Sequence, residues 1–202
     1  IIHYHATMDK IAAVVLAAGL GTRMLPLTLT VPKPMLTIGG KNLIEHKLEL
    51  LPEEVTEIVL VIGYLGDKIR EYFGDEWKGK KVSYVEQKVQ DGTAGALFAA
   101  KDILSSRFIV MMGDDLYTKQ DVQNLLLSKY GICVHKVEDK EISGGVLFTA
   151  DNKFLNVNES RVYAKTGYIN TGLYMLDREI FRHTPVPKSP GSLELGLPQT
   201  LA

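Results

Sequence analysis

The sequence has one cysteine, almost no net charge and no long apolar run. Cys133 has no second cysteine to pair with, which excludes an internal disulfide and the usual thiolate clusters that bind metals. The formal net charge of -1 gives no general affinity for nucleic acids or anionic membranes. No stretch approaches the ~20 consecutive apolar residues of a membrane span. These absences predict a protein of the reducing cytoplasm that binds neither nucleic acid nor membrane.

The residues that are present indicate a single folded domain. Hydrophobic residues make up 46% of the 202 residues and charged residues 23%, which is an ordinary globular composition. Such a length suits one well-buried domain, because domains usually hold roughly 100 to 200 residues. Residues 1–7, IIHYHAT, precede Met8 and lack the pattern of a signal peptide. We expect them to be a leader or a tag remnant, and the domain to span residues 8–202.

The hydrophobic pattern divides the chain into two halves. From Lys10 to about Val137, apolar runs alternate with segments of helical period, which is typical of βαβ units. The pattern predicts strands at 11–17, 56–63, 81–86 and 107–112, and helices at 42–51, 66–73, 93–104 and 119–127. After Tyr130 it predicts short strands at 130–137, 144–150 and 168–176. We therefore expect an α/β layer whose sheet is completed by these later strands.

The segment LAAGLGTRMLPLTLTVPKPML, residues 16–36, follows the first predicted strand. Loops at the carboxyl ends of parallel strands form ligand crevices, and the glycines at 19 and 21 let backbone N–H groups face a polyanion. Arg23 adds a planar set of donors that suits phosphate oxygens. The sequence therefore predicts a phosphate-binding loop.

Two familiar phosphate loops do not fit this segment. A dinucleotide fingerprint, or a Walker loop that begins at Gly19, requires glycine at position 24, which is Met24. A Walker loop that begins at Gly21 requires glycine at position 26, which is Pro26. Both alternatives therefore fail on the residues present.

Three prolines make the rest of the loop stiff. Pro26, Pro32 and Pro34 forbid an uninterrupted helix, and Lys33 lies between the last two. A lysine on such a segment can meet a triphosphate at little entropic cost, although a solvated surface lysine would look the same in the sequence.

The combination of LAAGLGTR, PLT and PKPML resembles the opening signature of the sugar-1-phosphate nucleotidyltransferases, and the resemblance covers roughly residues 10–202. It implies a Rossmann-like three-layer α/β/α fold with a central mixed, mostly parallel sheet. Residues 8–130 would form the nucleotide-binding half and residues 131–202 the sugar-binding half. The family's last elements, with a second metal-binding aspartate, are expected to be missing from this sequence. The implied reaction transfers a nucleoside monophosphate from an NTP to a sugar-1-phosphate and releases pyrophosphate.

The resemblance assigns roles to the loop and to a second segment. Arg23 and Lys33 are implied as catalytic residues that neutralise the triphosphate and its leaving group. YVEQKVQDGTAGALFAA, residues 84–100, resembles the family's nucleobase-reading segment. An amide there can read a pyrimidine edge, and a glycine at a helix entrance lets a base approach, although an ordinary glycine-started helix would look alike. The implied nucleotide-binding residues are Leu16, Ala17, Ala18, Gly19, Gly21, Thr22, Gln87, Gly92 and Thr93.

FIVMMGDDLY places Asp114 and Asp115 directly after a predicted buried strand. Carboxylate oxygens are hard ligands that suit Mg²⁺, which shares its coordination with substrate phosphates. The resemblance implies that Asp114, which follows the glycine, is a catalytic residue and metal ligand, with Mg²⁺ as the cofactor. Asp115 occupies a more variable place, where a turn or helix-cap aspartate is an equal interpretation.

The second half contains segments that resemble the family's sugar pocket. The sugar-binding residues implied by SGGVLF, NVNES and YINTGLYMLD are Gly145, Glu159, Asn170 and Thr171. In the family, lysine and proline usually follow the glutamate, whereas Ser160 and Arg161 follow Glu159 here. The lysine that would bind the sugar phosphate is therefore unassigned, and Lys165 and Arg161 are its candidates.

The expected substrates are an NTP and a sugar-1-phosphate. Gln87 with Gly92 favours UTP or dTTP, and glucose-1-phosphate is the commonest acceptor that the resemblance implies. A GTP-dependent mannose-1-phosphate guanylyltransferase is an alternative. A non-catalytic nucleotide-sugar-binding regulatory homologue is another, favoured by the departure around Glu159. Met24 and the proline-rich loop disfavour a dinucleotide-dependent oxidoreductase, and the sequence leaves the formation of a homo-oligomer open.

Overall fold

The computed structural model describes residues 10–104, 106–142, 145–148, 153–158 and 162–202. Its strands are β1 (Ile11–Leu16), β2 (Thr37–Ile38), β3 (Lys41–Asn42), β4 (Val55–Ile62), β5 (Glu76–Trp77), β6 (Lys80–Glu86), β7 (Arg107–Met112), β8 (Gly131–Ile142), β9 (Gly145–Phe148), β10 (Phe154–Asn158), β11 (Val162–Asp177), β12 (Val186–Pro187) and β13 (Leu195–Gly196). Its α-helices are α1 (Leu43–Leu48), α2 (Gly66–Phe73), α3 (Thr93–Ala99), α4 (Lys119–Leu126) and α5 (Leu197–Leu201). Short 3₁₀ helices cover Thr22–Met24, Leu27–Leu29, Lys33–Met35 and Arg178–Arg182.

Nine of the described strands form one mixed sheet. Their order is β10-β9-β11-β7-β1-β4-β6-β5, and β8 also pairs with β11. The central strands β7, β1, β4 and β6 are parallel to their neighbours within that group. Strand β11 pairs antiparallel with β7 and with β8, and β5 pairs antiparallel with β6. The expected α/β fold, a mixed sheet with parallel central strands, is therefore confirmed.

The two faces of β1 enter different hydrophobic cores. Ala13 and Val15 pack with α1, α2 and α4 on one face of the sheet. Ala12 and Val14 pack with α3 and α5 on the other face. Because successive residues of a strand point to opposite faces, a strand that is covered on both faces must be apolar throughout. All 6 residues of β1 are indeed buried.

Most predicted elements of the first half lie close to their observed bounds. Helix α2 and strand β7 have the predicted bounds, and α4 begins at the predicted residue 119, after a capping box formed by Thr118 and Asp121. Helix α3 ends at Ala99, before the predicted residue 104, because the chain continues there in tighter turns, such as the bond from the Lys101 N–H to the Phe98 carbonyl. None of the helices in the described part of the chain combines the length and apolar character needed to cross a lipid bilayer.

The second half differs more from the prediction. Strands β8 and β11 are longer than the predicted strands at 130–137 and 168–176, and β10 was not predicted. Residues 138–141 of β8, EDKE, are charged and exposed, so no alternation of apolar residues marks them as a strand. Backbone pairing with β11 extends β8 without help from buried side chains.

Candidate active site

The carboxyl ends of β1, β6 and β7 border one cleft of about 700 Å³. This is the edge at which α/β sheets bind ligands. The predicted site residues that line it are Leu16, Ala18, Gly19, Gly21, Thr22, Arg23, Lys33, Gln87, Gly92, Thr93, Asp114 and Asn170. Ala17, Gly145 and Thr171 lie outside this lining. Glu159 lies outside the described residues, as do Ser160 and Arg161.

The phosphate loop is folded around a buried threonine. Thr28 is 1% exposed, and its Oγ1 donates a hydrogen bond to the Gly21 carbonyl at 2.9 Å. Gly21 has a φ of +66°, and a Cβ at this position would lie 3.0 Å from the Cβ of Lys33. Glycine is therefore needed for the loop to close. The closed loop brings Arg23 and Lys33 to the cleft.

Lys33 and Asp114 form an ion pair in the cleft. Their side chains are 25% and 40% exposed, so substrate groups can reach both. Asp115 is exposed as well, and partial desolvation of its carboxyl, followed by the negative charge of Asp114, raises the pKa of that carboxyl, which Lys47 and Lys33 partly oppose. The end of β7 therefore carries two adjacent carboxylates, and that of Asp114 already pairs with an ammonium group.

Asp114 and Asp115 fit a divalent cation that arrives with a phosphate ligand. Within the described ranges, no cluster of three or more histidine, cysteine, aspartate or glutamate side chains could hold a metal ion. Mg²⁺ does not require such a cluster, because it keeps several waters and takes further ligands from substrate phosphates. The hard oxygen donors at the end of β7 therefore suit Mg²⁺ bound together with a nucleotide.

A buried lysine contacts the backbone of the same turn. Lys47 of α1 is 0% exposed, and its Nζ donates hydrogen bonds to the carbonyls of Leu43, at 2.9 Å, and Gly113, at 3.1 Å. Burial lowers the pKa of Lys47 to about 8, although the charges of Asp114 and Asp115 oppose this shift. Lys47 was not among the predicted site residues. Its signal was a lysine at an inward position of an otherwise apolar helix face.

The segment that resembles the family's nucleobase-reading segment, residues 84–100, is held by its own side chains. Gln87 is 7% exposed, and its Nε2 donates hydrogen bonds to Asp91 Oδ1 at 2.9 Å and to the Gly92 carbonyl at 3.0 Å. Both partners can only accept, so they fix the amide nitrogen and turn the amide oxygen away from themselves. Thr93 Oγ1 accepts a hydrogen bond from the Leu197 N–H at 3.0 Å, which ties α3 to α5.

Gly92 allows a close approach between two segments. Its φ is +98°, and a Cβ there would lie 2.5 Å from the Leu195 carbonyl oxygen. The Leu195 N–H also donates to the Asp91 carbonyl at 2.6 Å. Strand β13 is thus fixed directly against the start of α3, and both segments line the cleft.

On the opposite side of the cleft, β11 contributes Asn170. Its Nδ2 donates to Tyr174 Oη at 2.6 Å, and its Oδ1 accepts from the Gly172 N–H at 3.0 Å. The Thr171 hydroxyl instead donates to the Cys133 carbonyl at 2.8 Å, which binds β11 to β8. The predicted sugar-binding role of Asn170 is thus compatible with its position, whereas Thr171 is engaged within the sheet.

The other predicted residues outside the lining have backbone partners in the sheet. Gly145 of β9 is opposite Ile169 of β11. The Ala17 N–H donates to the Val61 carbonyl at 2.8 Å, which continues β1 beside β4. Lys165 lies in the exposed part of β11, outside the lining of the cleft.

A model of the nucleotidyl transferase family matches residues 12–194. The chain belongs to this family. It is 35% identical over 169 residues to the bifunctional protein GlmU of Methanocaldococcus jannaschii, a match that covers 84% of this chain and 40% of that protein. The chain thus spans less than half the length of this relative.

Two other relatives are matched over most of their own length. The UTP--glucose-1-phosphate uridylyltransferase AglF of Haloferax volcanii is 33% identical over 193 residues, with 91% of this chain and 79% of AglF covered. The crystal structure of HddC from Yersinia pseudotuberculosis, complexed with GMP-PN, is 28% identical with a TM-score of 0.69. That match covers 93% of this chain and 83% of HddC.

Lys188 and Gly172 also line the cleft, and Tyr117 supports Gly172 from outside the lining; none of the three was predicted as a site residue. Lys188 lies in the loop between β12 and β13. Gly172 has a φ of +73°, and a Cβ there would lie 2.9 Å from Asp115 Oδ2. Tyr117 Oη accepts from the Met112 N–H at 3.0 Å and donates to the Gly172 carbonyl at 3.1 Å. The NTG triplet in YINTGLYMLD could have indicated a role for Gly172. The role of Tyr117 depends on tertiary contacts that no local pattern reveals.

Proposed function

We propose that this protein transfers a nucleoside monophosphate from an NTP to a sugar-1-phosphate and releases pyrophosphate. The favoured donors are UTP and dTTP, and the favoured acceptor is glucose-1-phosphate. The observation that carries the proposal is that one cleft contains the phosphate loop with Arg23 and Lys33, the carboxylate of Asp114 and the amide of Gln87. Groups for the triphosphate, the metal and the base thus lie around one volume.

The proposed reaction is an in-line displacement at the α-phosphorus of the NTP. An oxygen of the sugar-1-phosphate forms the new P–O bond, the bond from the α-phosphorus to the α,β-bridging oxygen breaks, and pyrophosphate leaves with that electron pair. The attacking phosphate is already an anion, so no general base is required. Mg²⁺, held by Asp114 with Asp115 beside it, would neutralise charge on the phosphates.

The protein's own residues position two polyanions and offset their repulsion. Arg23 offers a planar set of donors, and Lys33 offers a compact charge on a stiff loop. The backbone around Gly19 and Gly21 adds N–H donors at the same edge of the sheet. A site of this kind accelerates phosphoryl transfer through position and charge rather than through a covalent intermediate.

The amide of Gln87 favours a nucleobase that carries a ring N–H donor on its Watson–Crick edge. Its oxygen is turned away from Asp91 and Gly92, so it is the acceptor that remains for a ligand. Uracil and thymine carry such a donor at N3, and the name of AglF includes UTP and glucose-1-phosphate. Guanine also carries a ring N–H, and the HddC structure contains GMP-PN. GTP with mannose-1-phosphate is therefore the second candidate pair.

Pyrophosphate release from a panel of substrates tests the proposal. UTP, dTTP, GTP, CTP and ATP are each combined with glucose-1-phosphate and with mannose-1-phosphate in the presence of Mg²⁺. We expect the highest rate with UTP or dTTP and glucose-1-phosphate. A highest rate with GTP would select the guanylyl alternative. Binding of nucleotide-sugars without turnover of any pair would select the non-catalytic regulatory alternative.

A further inference from the structure

Helix α1 carries a charged residue where its pattern requires an apolar one. Leu43, Ile44 and Leu48 occupy the other inward positions, and Lys47 is as deeply buried as they are. Moving an ammonium out of water is unfavourable unless specific partners compensate for the lost hydration. A leucine or methionine would fill the same space without that cost, so the contacts of the ammonium should reveal what it does.

The ammonium of Lys47 contacts the residue that precedes the candidate metal ligand. One hydrogen bond, of 2.9 Å, goes to the Leu43 carbonyl of its own helix, and the other, of 3.1 Å, crosses to the Gly113 carbonyl. The Gly113 N–H donates to the Leu16 carbonyl at 2.9 Å. A Cβ at Gly113 would lie 2.5 Å from that same carbonyl oxygen. The peptide groups on either side of Gly113 are therefore fixed by β1 and by Lys47.

The nearby charges are negative, which favours a buried ammonium at Lys47. Asp114 and Asp115 both favour its charged form, and Lys47 in turn lowers the pKa of Asp115 against the effect of burial. Two adjacent carboxylates repel each other, and a buried ammonium close to both reduces that repulsion. Lys33 supplies a second cation to Asp114 from the cleft side.

We propose that Lys47 is a positioning residue of the metal site. Its ammonium fixes the Gly113 carbonyl and thereby the direction in which the next residue, Asp114, enters the cleft. Its positive charge also reduces the repulsion between the carboxylates of Asp114 and Asp115. The role rests on the proposed function, because it requires that Asp114 binds Mg²⁺ together with an NTP. Lys47 does not reach the substrates, since its side chain is fully buried.

Calorimetric titrations of the whole chain with UTP, and separately with GTP, test the role of Lys47. Each titration is run in EDTA and in Mg²⁺, and the ratio of the two dissociation constants measures how much the metal tightens nucleotide binding. This ratio is the gain from Mg²⁺. Replacing a residue that orients a metal ligand through hydrogen bonds typically changes the metal affinity by about 10- to 100-fold. We expect Lys47→Met to reduce the gain from Mg²⁺ by roughly tenfold or more. Binding in EDTA should stay near that of the unchanged protein.

A matched control is available in Lys80. Its ammonium also donates to two backbone carbonyls, those of Pro52 and Val55, but it lies outside the lining of the cleft. We expect Lys80→Met to leave the gain from Mg²⁺ unchanged. Lys47→Gln, which keeps a donor but removes the charge, should reduce the gain less than Lys47→Met. Thermal unfolding of each variant in EDTA shows whether the fold is retained.

Several outcomes would overturn this role. An undiminished gain from Mg²⁺ in Lys47→Met would overturn it and leave the proposed function standing. An equal loss of nucleotide binding in EDTA and in Mg²⁺, together with a lowered unfolding temperature, would also overturn it. Loss of the fold in both Lys47 variants would do the same. Each of these results assigns Lys47 to stability alone. No gain from Mg²⁺ in the unchanged protein with either nucleotide would overturn the proposed metal site, and the role of Lys47 with it.

Discussion

The ammonium of Lys33 contacts the carboxylate of Asp114, which lies 81 positions further along the chain. This ion pair joins the phosphate loop to the end of β7. In the proposed reaction the same two groups separate, because Lys33 turns to the triphosphate and Asp114 to the metal. Each charge exchanges one partner of opposite sign for another, so binding the substrates does not leave either group unpaired.

Replacing Asp114 tests the metal assignment. We expect Asp114→Asn to lower pyrophosphate release by about a hundredfold or more, because the amide loses the charge that attracts Mg²⁺ and orders it on the phosphates. Stability should fall modestly, because the substitution removes the exposed ion pair with Lys33, worth ~0–1 kcal/mol, and part of the negative charge that favours the buried ammonium of Lys47. Steady-state rates across a range of Mg²⁺ concentrations provide the measurement. Asp102→Asn, an exposed position outside the cleft lining, is the control, and an unaltered Mg²⁺ dependence in Asp114→Asn would remove Asp114 from the metal site.

Replacing Arg23 tests the phosphate loop. Loss of one charge-stabilising donor typically raises a barrier by about 3 kcal/mol, so we expect Arg23→Ala to lower kcat by about a hundredfold. Arg182→Ala provides a matched control, because Arg182 is exposed and pairs with Glu179 outside the cleft. Comparison of kcat and KM for both variants gives the result. Near-normal turnover in Arg23→Ala would exclude Arg23 from the mechanism.

Adding one methyl group at Gly92 tests the base-reading segment. We expect Gly92→Ala to destabilise the fold and to weaken nucleotide binding, because its Cβ would meet Leu195 at 2.5 Å on a backbone with φ of +98°. Such backbone strain alone costs on the order of 1–3 kcal/mol. Gly79→Ala separates the two effects, since Gly79 has a φ of +79° but open space around it. Urea unfolding and nucleotide titration of both variants should show a larger loss at Gly92, and equal losses would contradict the packing argument.

The phosphate loop and the end of β7 could be predicted from the sequence because their signals are local. A buried strand followed by Gly19, Gly21 and Arg23 defines the loop, and a second buried strand followed by Asp114 defines the turn that we propose binds the metal. Their meeting in one cleft follows from parallel strands, whose carboxyl ends share an edge of the sheet. The fold of the first half was predictable for the same reason.

The contacts that support the site could not be predicted, because they join residues far apart in the sequence. Lys47 contacts Gly113 across 66 positions, and Leu197 contacts Thr93 across 104 positions. Neither pair forms a local pattern. The full length of β8 also could not be predicted from the sequence, because an exposed strand segment that pairs only through its backbone needs no alternation of apolar residues. Sequence motifs therefore identified the groups of the proposed chemistry, and the structure revealed what holds them.

The buried ammonium of Lys47 predicts how stability depends on pH. Its pKa falls from the ordinary 10.5 to about 8 on folding, so between these values the unfolded chain binds more protons than the folded protein. The free energy of unfolding therefore rises with pH across this window, by up to about 3 kcal/mol from this group, and Lys47 adds no pH dependence below the window. Urea unfolding in EDTA at pH 7, 8, 9 and 10 should show that Lys47→Met is more stable at pH 7 and loses this advantage by pH 10. A difference that stays constant with pH would contradict the burial of a charged lysine.

The most direct test of the proposed function is to identify the product. Purified protein is incubated with Mg²⁺, UTP and glucose-1-phosphate, and mass spectrometry and a pyrophosphate assay follow both products over time, with a reaction that lacks the protein as the reference. We predict that UDP-glucose and pyrophosphate accumulate in equal amounts, and only when both substrates are present. Hydrolysis of UTP without a nucleotide-sugar, or no product from any nucleotide and sugar phosphate of the panel, would contradict nucleotidyl transfer in this cleft.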